Sequence, residues 1–255
     1  MLDGMMAAYK NLLRIYMGVP DLSAGQEYTL TDGQHHYLKN VMRAETGASL
    51  RVFNGRNGEW LAEIKELSKK KVIVSLIQKI AEQKNAPDIV VLASPVKKEN
   101  FDIMVEKSCE LGAAVFQPVI CDHTIVHRAN QERLQAIAVE AAEQSERTDV
   151  MQVAEIAPLK DILAGWDNKR RIVFCQERAA APAIASVLAG GGVNLPLAVL
   201  IGPEGGFSAA EMEWLTQMPQ IVPVSLGGRI LRAETALIAA LSCIQSMVGD
   251  WPDAG

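Results

Sequence analysis

No run of about 18 consecutive apolar residues occurs in this 255-residue chain, which excludes a membrane-spanning helix. The start carries Lys10 and Arg14 but no apolar stretch of the kind a signal peptide needs. Cysteine is scarce. Cys109, Cys121, Cys175 and Cys243 are scattered with no Cys-x-x-Cys spacing, so they make neither a disulfide nor a zinc framework and read as buried free thiols of a cytoplasmic protein. Low-complexity tracts are missing too, and 49% hydrophobic residues is ample for the core of one large domain or two smaller ones. His123 and His127 sit four apart, as helical metal ligands would. No third ligand accompanies them and Thr124-Ile125-Val126 favours an extended chain, so no metal is expected. His35 and His36 read as turn and surface residues.

Excess positive charge is also lacking: the formal net charge is −5. The two ends of the chain differ, however. Residues 1–80 hold 11 Lys and Arg against 8 Asp and Glu, whereas residues 81–255 hold 14 against 22. The mildly basic part suits a nucleic-acid surface, and an ordinary solvated surface would look the same.

What the chain does have is concentrated in Leu200–Ala236. Two apolar runs, Leu197–Ile201 and Ile221–Leu226, each lead into a glycine-rich turn, at Gly202–Ser208 and Gly227–Gly228, and each turn leads into a helical pattern. Strand, turn and helix repeated twice place two backbone-lined loops at one edge of a parallel sheet. That edge, at the carboxyl ends of the strands, is where open α/β sheets bind ligands. Gly205 and Gly206 allow positive φ and close approach to the backbone, and Pro203 fixes φ. Ser208 and Glu211 form a capping box that predicts a helix from about Ala209, with Met212, Leu215 and Met218 inward. Taken alone, such a turn serves either as a connection or as a ligand loop. It lacks the Gly-Lys-Ser/Thr ending of a Walker site.

The second turn, Gly227-Gly228-Arg229-Ile230-Leu231-Arg232, runs straight into a helix predicted over about Glu234–Met247 and stopped by Gly249. Glu234 suits the first turn of a helix. Arg232 does not, because a cation at a helix N-terminus opposes the dipole. It therefore calls for a partner: a carboxylate, a phosphate or an anionic reaction species.

Gly202-Pro203-Glu204-Gly205-Gly206-Phe207-Ser208 followed by Ser225-Leu226-Gly227-Gly228-Arg229-Ile230-Leu231-Arg232-Ala233-Glu234-Thr235-Ala236 resembles the paired motifs of the SPOUT class of RNA methyltransferases. Within that class it resembles the enzymes that methylate the N3 nitrogen of a uridine in 16S rRNA of the small ribosomal subunit. Three further stretches are similar to the family's segments. His36–Arg43 matches His-x-x-x-Val-x-Arg. Pro95-Val96-Lys97-Lys98 with Val105–Gly112 matches Lys…Gln-Lys-x-x-Glu-Leu-Gly. Glu140–Arg147 matches Glu-Gln-Ser-x-Arg, with Glu146 standing where the family has glycine.

The resemblance implies an α/β fold whose parallel sheet ends in a deep trefoil knot, preceded by a PUA-like RNA-binding β-barrel. It implies S-adenosylmethionine as the cofactor, held by Leu200, Ile201, Gly202, Pro203, Glu204, Gly205, Gly206, Ser225, Leu226, Gly227, Ile230 and Leu231. It also implies a homodimer, with the final helix and Arg229–Arg232 near the partner. The chemistry needs a stabilised uracil anion and a managed proton, which assigns Arg232, then Glu204 and Glu234, to catalysis. No metal is needed.

In residue terms, Met1–Leu13 reads as a short extension. Residues 14–80 read as the barrel, with strands at Ser49–Asn54, Glu59–Leu67 and Val72–Ile77 and a helix over Gly33–Arg43 that turns Tyr37, Leu38, Val41 and Met42 to one side. Arg14, Lys39, Arg43, Arg51 and Arg56 either position RNA phosphates or form a solvated face. Ala81–Pro87 reads as a linker. Over 88–250 the alternation of strands (Asp88–Ala93, Val115–Ile120, Arg171–Gln176) with helices (Glu99–Leu111, Asn130–Arg147) indicates a parallel sheet covered on both faces. Glu143, Gln144 and Arg147 are either ordinary helix-end residues or, as the resemblance implies, face the RNA. A non-catalytic RNA-binding protein of this fold, and a SPOUT enzyme acting on a ribose 2′-hydroxyl or on tRNA, are the alternatives.

Overall fold

In a computed structural model, residues 9–176, 181–191 and 193–253 are described. They form two compact units, one within residues 9–85 and 142–150 and the other within residues 86–141 and 151–253. Residues 1–8 of the expected extension lie outside the described residues.

The first unit is built on β1 (Arg14–Tyr16), β2 (Glu27–Thr29), β3 (Ser49–Phe53), β4 (Glu59–Leu67) and β5 (Val72–Ala81). They make a five-stranded sheet in the order β1-β3-β4-β5-β2. β1 runs parallel to β3, and β3-β4-β5 is an antiparallel meander whose first two strands are the hairpin of alternating residues across Gly55–Gly58. Ile15, Leu50, Val52, Ile64, Val74 and Leu76 share one core, and Leu13 of the expected extension packs against it. β5 continues to Ala81, four residues beyond its expected end.

The helix expected over Gly33–Arg43 is two pieces. α1 (Asp32–His36) opens with a Thr31–Gln34 capping box. Tyr37–Val41 then widens into a π-helical turn. Bonds from i to i+5 rotate side chains away from the 3.6-residue spacing, which splits the four residues expected on one side. Leu38 is buried, while Tyr37, Val41 and Met42 are 40%, 58% and 46% exposed.

The inside of this unit holds a charge cluster that corrects two RNA assignments. Arg14 and Arg51 are buried, at 6% and 3% exposure, around the fully buried Glu59. Arg14 Nε donates to Glu59 Oε1 at 2.5 Å, and its guanidinium lies 3.8 Å over the Phe53 ring. Its remaining donors reach the carbonyls of Ala142, Glu143 and Arg147. Arg51 donates to Glu146 at 2.7 Å. Burial pulls the Arg14 pKa below its ordinary value, opposed by Glu59. Neither arginine is placed to hold a phosphate, because both are buried around Glu59. Arg147 is likewise paired, with Asp149 at 2.9 Å. Glu146 has φ 61°, so the left-handed conformation that the family's glycine would take freely is adopted here by a residue tied to Arg51.

The second unit contains β6 (Ile89–Ala93), α2 (Lys98–Glu110), β7 (Val115–Ile120), α3 (Gln131–Gln144, its last residues falling in the first unit), β8 (Gln152–Val153), β9 (Ala157–Pro158), α4 (Leu159–Ala164), β10 (Arg171–Cys175), α5 (Ile184–Ala189), β11 (Leu197–Ile201), α6 (Ala209–Gln217), β12 (Ile221–Val224) and α7 (Ala233–Met247). The sheet order is β12-β10-β11-β6-β7-β8, with β9 also on β7, and every pair is parallel. All five residues of β11 are buried, as a parallel strand covered on both faces requires. Ala198 and Leu200 pack with Leu159, Leu163 and Leu215 of α4 and α6. Alternation turns Val199 to the opposite face, and α7 also packs against β11.

Candidate functional site

The carboxyl ends of four neighbouring strands, β12, β10, β11 and β6, surround one cavity of about 750 Å³. The turn after β11 contributes Gly202, Pro203, Glu204 and Gly206. The turn after β12 contributes Leu226, Gly227 and Arg229–Glu234. The end of β10 contributes Phe174, Cys175 and Gln176, and the start of α2 contributes Lys97 and Asn100.

Local chemistry explains how the first turn is held. Ser208 and Glu211 form the expected capping box, with Ser208 Oγ accepting from Glu211 N at 3.1 Å and Glu211 Oε2 accepting from Ser208 N at 2.9 Å. Glu211 is only 2% exposed, and its other oxygen accepts from Asp122 N at 2.8 Å. Ser208 Oγ in turn donates to Asp122, and His123 Nδ1 donates to the Gly205 carbonyl at 3.1 Å. The loop after β7 thus clamps the turn, a role that the residue types alone did not reveal. Gly206 takes φ 68°, which only glycine adopts without strain. Gly202 lies under the Phe207 ring, leaving no room for a Cβ. That ring packs edge-on to Phe174 at 5.0 Å.

Of the expected cofactor residues, Ile201, Gly202, Pro203, Glu204, Gly206, Leu226, Gly227, Ile230 and Leu231 line the cavity. Leu200, Gly205 and Ser225 do not. Leu200 is wholly within the core. Gly205 faces His123 and does not have positive φ, so the left-handed residue of this turn is Gly206 alone. Ser225 bridges to Ala183, and its Oγ accepts from Gly227 N at 3.2 Å.

The three expected catalytic residues, Arg232, Glu204 and Glu234, do line the cavity, joined by Lys97 and Arg229. Arg232 is the N-cap of α7, and its side chain makes no capping bond. Among the described residues none of these five charged groups forms an ion pair. Opposite charges that share a cavity without pairing stay available to a ligand. Cys175 sits beside them, its thiol pushed up to about 12 by burial and then by Cys243. Of the expected RNA contacts, Arg43 and Arg56 are exposed and Lys39 is half-buried. His127 is exposed.

With this geometry in view, residues 82–245 match the model of an RNA methyltransferase domain and residues 30–77 match that of an RNA methyltransferase PUA domain. The chain belongs to the RNA methyltransferase domain family. It is similar to a protein of Synechocystis called ribosomal RNA small subunit methyltransferase E, at 34% identity over 86% of this chain and 73% of that protein. A Neisseria gonorrhoeae structure of the same name, bound to S-adenosylmethionine, superposes with a TM-score of 0.82 at 28% identity over 94% of this chain and all of the other. A Legionella pneumophila methyltransferase solved with its bound cofactor SAM superposes at 0.84, with 29% identity over 94% of this chain and 99% of that one.

Proposed function

We propose that the chain uses S-adenosylmethionine to methylate the N3 nitrogen of a uridine in 16S rRNA of the small ribosomal subunit. The observation that carries this reading is the cavity with its unpaired Arg232, Glu204 and Glu234 between the two glycine turns. Its volume lies within the range of small-ligand sites, and it offers both apolar lining, from Ile201, Phe207, Leu226, Ile230 and Leu231, and free carboxylates. These features fit an adenine with a sulfonium and an amino acid tail. In this reading the two turns hold the cofactor by their backbones, residues 14–80 bind RNA, 81–87 link and 88–250 carry the reaction. The last strands and helix form a trefoil knot, and the protein works as a cytoplasmic homodimer with Arg229–Arg232 near the partner.

When bound, S-adenosylmethionine supplies an activated methyl group. The chain's own residues must then handle a poor nucleophile, since uridine N3 carries a proton at neutral pH. Arg232 holds the negative charge that develops on the uracil ring, as a preorganised donor does for any oxyanion. Glu204 or Glu234 takes the N3 proton or orients Arg232.

The test is transfer from labelled S-adenosylmethionine to small ribosomal subunits that lack the modification, followed by nucleoside analysis. Label in 3-methyluridine is expected. Label on a ribose, or on tRNA alone, sinks the N3 assignment. Saturable RNA binding with no transfer and no cofactor heat in calorimetry would make the chain a binding protein of this fold.

A further inference from the structure

The π-helical turn of the first unit presents a combination of side chains that core packing does not need. Tyr37, Val41 and Met42 are 40%, 58% and 46% exposed, and only Leu38 of this segment is buried. A basic rim adjoins them. His35 Nε2 and Lys39 Nζ both donate to the Ser68 carbonyl, at 3.0 and 2.9 Å. Those bonds fix the Ser68–Lys71 turn beside the helix. Lys71 pairs with Glu66 at 2.8 Å. Lys69, Lys70 and Arg43 are exposed, and among the described residues none of them forms an ion pair. The acidic neighbours in sequence are Asp32, in the first turn of α1, and Glu45.

We propose that this surface docks an unpaired stretch of RNA, one base stacking on Tyr37 beside Val41 and Met42, with Lys69, Lys70 and Arg43 holding the flanking phosphates. The proposal rests on the reading of the chain as an RNA methyltransferase, and to the expected Arg43 contact it adds a base stacked on Tyr37 and phosphates at Lys69 and Lys70. Charge complementarity selects the occupant. A protein interface centred on these apolar groups would be depleted in lysine, whereas an aromatic ring within a cationic groove is the usual equipment for single-stranded nucleic acid. A duplex hides its base faces in its own stack, so the exposed ring has a partner only in unpaired RNA.

Fluorescence anisotropy of the full chain decides it, using a labelled single-stranded RNA of about a dozen nucleotides and a duplex of the same sequence. The single strand should bind more tightly. Tyr37→Leu, which keeps apolar area but removes the ring, should weaken it roughly tenfold or more, and Tyr37→Phe should restore binding. Lys69→Ala with Lys70→Ala should lower the slope of log affinity against log salt by about 1.4. S-adenosylmethionine binding, read by calorimetry on the same variants, should not move. Tyr37→Leu binding like the wild type, Tyr37→Phe losing as much as Tyr37→Leu, or a preference for duplex each overturns the proposal. A wild-type chain that binds neither RNA also overturns the proposal, whereas failure of the functional reading shows separately, as no transfer to small subunits.

Discussion

Arg14 and Arg51 of the first unit lie inside, 6% and 3% exposed, converging on the single carboxylate Glu59. Arg229 and Arg232 of the second unit are on the wall of a cavity, near two carboxylates with which they form no ion pair. The same side chain does opposite jobs. In the first case charge is neutralised to fasten residues 142–147 to the strands. In the second, charge is left unneutralised, which is a state worth keeping only if a ligand completes it. Residue type and local spacing are equally arginine-like in both places. Burial and partner distance separate structural from functional charge.

The comparison breaks most readily at Glu59. Removing its charge in Glu59→Gln leaves Arg14 and Arg51 buried with only the half-exposed Glu146 as counter-charge. Nη1 and Nε of Arg51 already lack hydrogen bonds among the described residues. Breaking a buried pair from one side costs about 3–5 kcal/mol, so the urea midpoint of unfolding should fall by that equivalent. A loss below about 1 kcal/mol would show that the cluster is solvated and not structural.

Arg232→Ala should do the reverse, leaving stability near wild type and slowing methyl transfer by roughly a hundredfold or more, the scale for one lost oxyanion-type donor. Raising pH should partly restore the rate, because more uridine is then deprotonated in solution. Arg232→Lys should recover little, since a point charge does not replace a planar fork. Single-turnover rates at saturating cofactor, with sedimentation alongside, separate the two roles. A mutant that transfers at the wild-type rate, or one that is monomeric where the wild type proves dimeric, would make Arg232 a structural arginine like Arg14.

The units should also part company in alkali. All four cysteines lie in the second. Burial, with Glu211 and Asp122 adding for Cys121 and Cys243 for Cys175, pushes two of these thiols up to about 12 from an ordinary 9.0. In the unfolded chain they ionise earlier, so above about pH 9 the native state holds protons that the unfolded state has lost. Stability must then fall as pH rises from 9 to about 12, by about 1.4 kcal/mol per pH unit for each thiol. Hydrogen exchange should show the loss in β10 and β11 before β3–β5, and Cys175→Ala should reduce the slope by about half. An unchanged slope would mean that Cys175 ionises freely in the fold.

What the sequence disclosed was whatever is local. The capping box at Ser208 and Glu211, the strand at Leu197–Ile201 and the helix after Arg232 are each set by residues within a turn of one another, and they stand where expected. What it hid depends on distant partners. That Arg14 meets carbonyls 128 or more residues away, or that Asp122 and His123 clamp the first glycine turn, follows from topology and not from spacing. The grouping of Leu38 with Tyr37, Val41 and Met42 on one side was misread for a subtler reason. One π-helical turn shifts the period from 3.6, and nothing in the residues near it announces that change.

The smallest expected effect compares two residues that share one backbone problem. Gly206 and Glu146 both sit in the left-handed region, at φ 68° and 61°. Gly206 does so at no steric cost, so Gly206→Ala should destabilise by about 1–2 kcal/mol and weaken S-adenosylmethionine binding with it. Glu146 carries that cost in the native protein and has an offsetting bond to Arg51 at 2.7 Å. Glu146→Gly relieves the strain, about 1–2 kcal/mol, but adds unfolded-state entropy of roughly 0.4–1 kcal/mol. It also strips a charge-assisted bond from a buried arginine, about 1.5–3 kcal/mol before discounting for the 41% exposure of the Glu146 side chain. These terms nearly cancel, leaving a net loss of about 1 kcal/mol or less. Glu146→Gln keeps the length, the strain and a neutral bond from Arg51 of about 0.5–1.5 kcal/mol, so its loss should match that of glycine to within about 1 kcal/mol. If glutamine proves milder than glycine by clearly more than about 1 kcal/mol in thermal unfolding, the left-handed strain is not what Arg51 is offsetting, and the ion pair at this turn is incidental.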